Sequence, residues 1–227
     1  MAAFPIIIDN WEKNGDDSTK TLITNVVKYY MFLTIPILFG MFMLSADFSS
    51  LIGAKYAAGS AVIPWVALAS VCTGINIYTD MGLQLKKKTI YISIIMIIAA
   101  ISNVVMNLAL VPGYGYYGSA VSSAFAQIVF LILTWAISWK YLPWQFPRGS
   151  FVRCIGASTV MCLALFALKS TIFRHESLIS LVVLVSAGFL LYMAIIVATG
   201  ELREELGFAK KYFLTQLQIL RMNIGFM

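Results

Sequence analysis

The sequence predicts an all-α polytopic membrane bundle of about six transmembrane helices. Two observations carry this. Hydrophobic residues make up 60% of the 227 and charged residues only 11%, against about a quarter charged in an ordinary soluble domain. The apolar residues also fall into separate runs long enough to cross a bilayer, which takes roughly 17–25 residues. A single core of this chain length cannot enclose so much apolar surface, so lipid is the solvent around most of it.

The runs are 25–45, 60–79, 89–111, 117–139, 151–171 and 177–199. Each is bounded by charge or turn residues. Lys86, Lys87 and Lys88 separate the second from the third, and Pro112-Gly113-Tyr114-Gly115 separates the third from the fourth. Pro143, Pro147 and Arg148 divide the fourth from the fifth; Arg174, His175 and Glu176 divide the fifth from the sixth. The fifth run carries Arg153 and Lys169 near its ends, where long basic side chains are expected to snorkel. Pro36 and Pro64 fall inside spans, where proline frees a backbone carbonyl and bends a helix.

Basic residues set the orientation. Lys13, Lys20, Lys28, Lys86 to Lys88, Lys140, Arg148, Arg153 and the tail's Arg203, Lys210, Lys211 and Arg221 fall on one side. Lys55, Lys169 and Arg174 fall on the other. The excess predicts both ends in the cytoplasm and an even number of spans. Residues 1–24 read as a cytoplasmic N-terminal segment, 25–199 as a transmembrane domain and 200–227 as a cytoplasmic amphipathic tail. In that tail Leu206, Phe213, Leu217 and Leu220 suit a helix lying on the membrane surface or an ordinary cytoplasmic helix. The first apolar stretch, 1–8, is too short to span, and no cleavable signal peptide is expected.

Composition also excludes functions. The net charge of +6 is spread over short clusters between apolar runs, so anionic headgroups suit it better than nucleic acid. Catalysis is not expected. His175 is the one histidine, no paired carboxylates lie inside the membrane and no glycine-rich phosphate loop is present. No metal or cofactor is expected, and Cys72, Cys154 and Cys162 read as small packing residues.

Polar residues within the spans are more informative. Thr73, Asn76, Asp80 and Gln84 recur every three or four residues and predict one helical face running toward the cytoplasm. Asn103 and Asn107 share a face, as do Ser123 and Gln127. A side-chain amide in hydrocarbon needs a hydrogen-bond partner, so these faces are either interhelical contacts or the wall of a watered cavity holding a hydrophilic cargo.

The stretch Asn103-Val-Val-Met-Asn107-Leu-Ala-Leu-Val-Pro112-Gly-Tyr-Gly115-Tyr-Tyr-Gly118-Ser-Ala-Val-Ser-Ser-Ala resembles the polysaccharide-flippase branch of the multidrug/oligosaccharidyl-lipid/polysaccharide exporter superfamily. There a span with asparagines ends in proline, an aromatic-Gly-x-x-Gly turn follows, and a small-residue span comes next. Pro112 would end the helix, Gly115 permit the turn, and Gly118, Ala120 and Ala124 admit close helix approach. Leu51-Ile-Gly53-Ala-Lys55-Tyr56 is similar to an outer-face segment of the same branch. Met1 to Pro5, followed by a charged cytoplasmic loop with Lys and Asp up to residue 24, resembles the end of an eighth span leading into a ninth.

The resemblance implies the ninth to fourteenth spans, most of the second of two lobes, and a multi-pass protein of the bacterial cytoplasmic membrane. It further implies a flippase moving undecaprenyl-pyrophosphate-linked oligosaccharide for surface polysaccharide (O-antigen, capsule or exopolysaccharide) by alternating access. Membrane lipids, the lipid-linked glycan and a missing or separately encoded N-terminal lobe would be its partners. Thr73, Asn76, Asp80, Asn103, Asn107 and Gln127 would line the cavity. Lys28, Lys86, Lys87 and Lys88 would supply cations at its mouth. Two alternatives stay open: a cation-coupled multidrug exporter relying on Asp80, and a truncated subunit without transport activity of its own.

Overall fold

The computed structural model describes residues 3–53, 59–171 and 178–201. The predicted segments at Lys55-Tyr56 and at Arg174 to Glu176, and the tail with Leu206, Phe213, Leu217 and Leu220, lie outside these. Within the described residues the elements are α1 (Ala3–Ile52), α2 (Ile63–Thr79), α3 (Met81–Leu85), α4 (Thr89–Ser138), α5 (Arg148–Thr171) and α6 (Leu178–Ala198). Five helical stretches are long and apolar enough to cross a membrane, with α2 and α3 counting as one.

Two helices are 50 residues long, and each is folded back on itself at a glycine. In α1 the break is Gly15, with φ 76 and ψ −168. The Asn10 amide donates to the Thr19 hydroxyl at 3.3 Å, and the Ser18 hydroxyl donates to Asn10 at 3.1 Å. Along a straight helix residues nine apart stand about 13 Å from each other, so the chain reverses at Gly15. In α4 the break is Gly115, with φ 56 and ψ −133. A Cβ on Gly118 would stand 2.7 Å from the Leu110 carbonyl oxygen. Eight residues of straight helix would hold these about 12 Å apart. α4 is therefore two spans, residues 89–114 and 116–138, giving six passes among the described residues.

Contacts between helix ends agree with alternating directions. Asp16 meets Lys86, and Tyr91 meets Tyr141, at the end where the basic residues gather. Asp47 meets Lys169 and Trp65 meets Tyr117 at the opposite end. The first of these is called the inner end below.

Several expectations are corrected. Residues 9–24 are not a loop but helix on both sides of Gly15, stabilised by short-range bonds such as Lys13 to Asp9 at 3.0 Å. Pro112 does not end its helix; the helix passes through it and breaks at Gly115, the residue whose positive φ favours glycine. Pro64 lies in the first turn of α2, where its missing N–H is no loss, so it marks a start and not a bend. The second span continues past 79 through α3 to Leu85, which puts Asp80 and Gln84 within the helical stretch.

The helices pack as two groups joined through α1. On one side α1 lies against α5 and α6, with Ile23, Val27, Met31, Cys154, Ala157, Met161 and Tyr192 buried between them. On the other α2 and α3 lie against α4, over the small buried residues Gly118, Ala120, Ala124 and Ala126. Gly74 of α2 gives α1 its seat: a Cβ there would stand 1.8 Å from the Tyr30 hydroxyl oxygen.

Candidate functional site

The α1–α5–α6 side carries an apolar groove with a volume of about 210 Å³, bordered by Phe32, Pro36, Gly40, Leu165, Gly188 and Phe189 among others. Glycine shapes its walls. A Cβ on Gly188 would press to 2.9 Å from a Leu165 methyl. The Tyr192 hydroxyl donates to the Phe32 carbonyl at 2.8 Å, so that polar atom is satisfied and the groove stays apolar.

Ion pairs close both ends of this helix group. At the inner end Glu201, 7% exposed, accepts hydrogen bonds from Ser150 and Arg153 and stands 3.5 Å from the Lys28 ammonium. Burial works against the Glu201 charge, but the Ser150 and Arg153 bonds and the Lys28 cation outweigh it and hold the carboxyl below its usual range. Gly200, at φ 74, turns the chain off α6 so that Glu201 points back into the bundle. At the outer end Lys169 donates to Asp47 at 2.6 Å. Arg153 and Lys169 are therefore ion-paired, where snorkelling was expected. The acidic partners Asp47 and Glu201 carried no signal in the sequence beyond being acidic residues next to apolar runs.

Two of the four expected mouth cations are neutralised in the same way. Lys28 faces Glu201, and Lys86 donates to both oxygens of Asp16 at 2.8 and 2.7 Å and stands over the Trp11 ring. The bonds from Lys86 and Trp11 hold the Asp16 carboxyl below its ordinary value. Lys87 and Lys88 are exposed.

The polar faces are distributed unevenly. Thr73 is exposed and its hydroxyl donates to the Ala69 carbonyl of its own helix. Asn76, one turn on, is 3% exposed. Exposure therefore varies from residue to residue along the expected face. Asn107 donates to Asn103 at 2.9 Å within α4, and both are half-buried. Gln127 is half-buried and Ser123 exposed. Asn76, Asp80 and Gln84 lie on the α2–α3 stretch and Asn103, Asn107 and Gln127 on α4, two elements in direct contact.

The class of protein so defined is a multi-pass helical membrane protein with an apolar groove on one side and buried polar residues within a neighbouring helix pair. No model of a known family matches the sequence. The chain is similar to the probable low-salt glycan biosynthesis flippase Agl15 of Haloferax volcanii, at 24% identity over 202 residues, which cover 88% of this chain and 43% of that protein. Its fold matches the lipid II flippase MurJ in an inward closed conformation, with TM-score 0.73 and 18% identity, covering 89% of this chain and 43% of that one. The chain is thus similar in sequence to a probable glycan flippase and in fold to a lipid II flippase. It spans less than half the length of the relatives it matches.

Proposed function

We propose that the chain is most of the second lobe of a flippase that carries a lipid-linked oligosaccharide, with an isoprenoid pyrophosphate anchor, across a cytoplasmic membrane for surface glycan assembly. The observation that carries the reading is the pairing of a flippase fold with an apolar groove open along α1, α5 and α6. A lipid-linked glycan has two ends of opposite chemistry. The groove suits the hydrocarbon chain, whose burial there loses no contact it had in lipid. The half-buried Asn103, Asn107 and Gln127 suit sugar hydroxyls. The exposed Lys87 and Lys88 at the inner end suit the pyrophosphate where it enters.

Transport would proceed by rocking of this lobe against its complement around the cargo. That complement is the remaining part of a full-length flippase, in the same polypeptide or encoded beside it. The reading is supported by the match of 88% of this chain to 43% of a glycan flippase.

The test is surface-glycan export in cells carrying the complete transporter with Asn103→Leu and Asn107→Leu together. Export falls while the protein reaches its normal membrane level. Unchanged export at normal level removes these residues from the cargo path. Loss of glycan export on deleting the gene, with lipid-linked glycan accumulating on the inner leaflet, separates a flippase from a multidrug exporter.

A further inference from the structure

The inner end carries a second cavity, of about 260 Å³, that shares no residue with the groove. Ile75 of α2 and Leu131 and Ile132 of α4 give it an apolar wall. Trp135 of α4, Trp144 of the α4–α5 connection and Arg148 at the start of α5 border it as well. Trp135 is exposed and stands beside the exposed Trp139, their ring centroids 6.4 Å apart. Exposed tryptophans at a span end settle at the level of the lipid headgroups. The cavity therefore reaches from that level into the hydrocarbon beneath it.

Its polar groups all suit an anion. Arg148 is exposed, and among the described residues it takes part in no ion pair. No aspartate or glutamate occurs between residues 81 and 175, so the α3–α5 part of this end carries basic residues alone. Of these Lys86 and Arg153 are taken up by Asp16 and Glu201. Arg148 also opens α5, a helix of 24 residues, whose first-turn N–H groups and positive dipole end lie at the same place. Glu201 does not cancel this charge. It accepts from Ser150, two residues on and about 200° around the helix, and is itself paired with Arg153 and Lys28. Trp144 adds a donor: the residue is 1% exposed and its indole N–H has no acceptor, although a buried tryptophan N–H ordinarily finds one.

We propose that this cavity is a binding site for one anionic glycerophospholipid of the adjoining leaflet, held apart from the cargo path. The lipid phosphate meets Arg148 and the first turn of α5, a charge-assisted contact. A glycerol ester or phosphate oxygen accepts from the Trp144 indole. The upper part of one acyl chain lies on Ile75, Leu131 and Ile132, and the rest of the molecule stays in the bilayer, since the cavity is too small to enclose it. A zwitterionic lipid brings its own cation beside the phosphate and gains less from Arg148, so the site selects an anionic headgroup. A basic pocket between helix ends meets such lipids where they are concentrated. A free phosphate ester would leave the apolar wall unused. The bound lipid bridges α2 and α4 to the connection that leads into α5, and so fastens one helix group to the other.

The test is native mass spectrometry of the purified chain titrated with phosphatidylglycerol or with phosphatidylcholine of the same acyl chains. One phosphatidylglycerol binds in preference to phosphatidylcholine. Arg148→Gln weakens it about 10-fold or more, and Trp144→Phe, which keeps a ring and loses the N–H, about threefold. Lys13→Gln removes a charge from the same end without touching the cavity, and binds like the parent. Circular dichroism and monodispersity establish that each variant folds. Equal binding of the two lipids, or an unchanged preference in a folded Arg148→Gln, overturns the proposal. Displacement of the lipid by glycerol 1-phosphate overturns it in favour of a free phosphate ester, and displacement by farnesyl pyrophosphate overturns it by making the cavity part of the cargo path. No transport enters this assay, so its failure and the failure of the flippase reading are separate results.

Discussion

The two helix groups that meet at α1 are held together by different physics. On the α1–α5–α6 side, charged residues at both ends of the spans close on one another: Glu201 with Lys28 and Arg153, Asp47 with Lys169. The middle of that group is apolar and opens into a groove. On the α2–α4 side the described residues form no such pairs across the interface. Contact there comes from small residues that let backbones approach, from aromatic contacts such as Trp65 with Tyr117, and from a polar seam buried in the middle. One side is fastened at its rims and open between them; the other is dense where the first is open.

The contrast can be broken from either side. Gly118→Val should do most damage, because the added side chain meets the Leu110 backbone, which cannot give way as a flexible side chain could. Overpacking of this kind costs about 1–3 kcal/mol and sometimes more. The expected outcome is a lower thermal midpoint and easier proteolysis near the Gly115 turn, with salt having little effect.

Glu201→Gln comes next. It leaves Arg153 and Lys28 facing a neutral amide at a site where the acid is almost fully enclosed. Removing one partner of a buried pair costs 3–5 kcal/mol, but half-exposed Arg153 finds water, so about 1–2 kcal/mol is expected. Double-mutant cycles with Arg153→Gln should show coupling, and its absence would mean the rim contact does not fasten α6.

Asp16→Asn should have the smallest effect, about 0.5 kcal/mol or less, since both partners are partly exposed and water screens the pair. Its pH dependence has a definite sign. The folded carboxyl titrates below its ordinary value of 3.8, so this stabilisation is complete above that value and fades as pH falls through the lowered one. Thermal midpoints of the parent and Asp16→Asn measured at successively lower pH should converge.

Much of this arrangement was legible in the sequence, for a physical reason. Spans announce themselves because lipid selects every residue of a run, and orientation follows because lysine and arginine resist translocation. The Gly118 close approach was also readable, since glycine and alanine at those positions have one main use in a membrane helix. What stayed hidden depends on partners distant in the chain. Asp47 and Lys169 are 122 residues apart, and Arg153 and Glu201 are 48 apart. The helical character of residues 9–24 was masked by their polarity, which marks a loop by composition although each limb is held by local bonds. For the Thr73–Gln84 stripe, periodicity gives a face but not its surroundings: Thr73 is exposed and Asn76 buried.

The position of Glu201 in the chain bears on how the bundle is made. Lys28 enters the membrane in the first complete span, and Arg153 at the start of the fifth. Their common counter-charge is the first acidic residue after the sixth. During synthesis both cations must wait, hydrated or near headgroups, until nearly the whole transmembrane domain has left the ribosome. Only then can α6 dock and the inner rim close. Assembly of this side is therefore ordered in time by the sequence, and a chain halted before residue 201 would lack the acid around which Ser150, Arg153 and Lys28 gather.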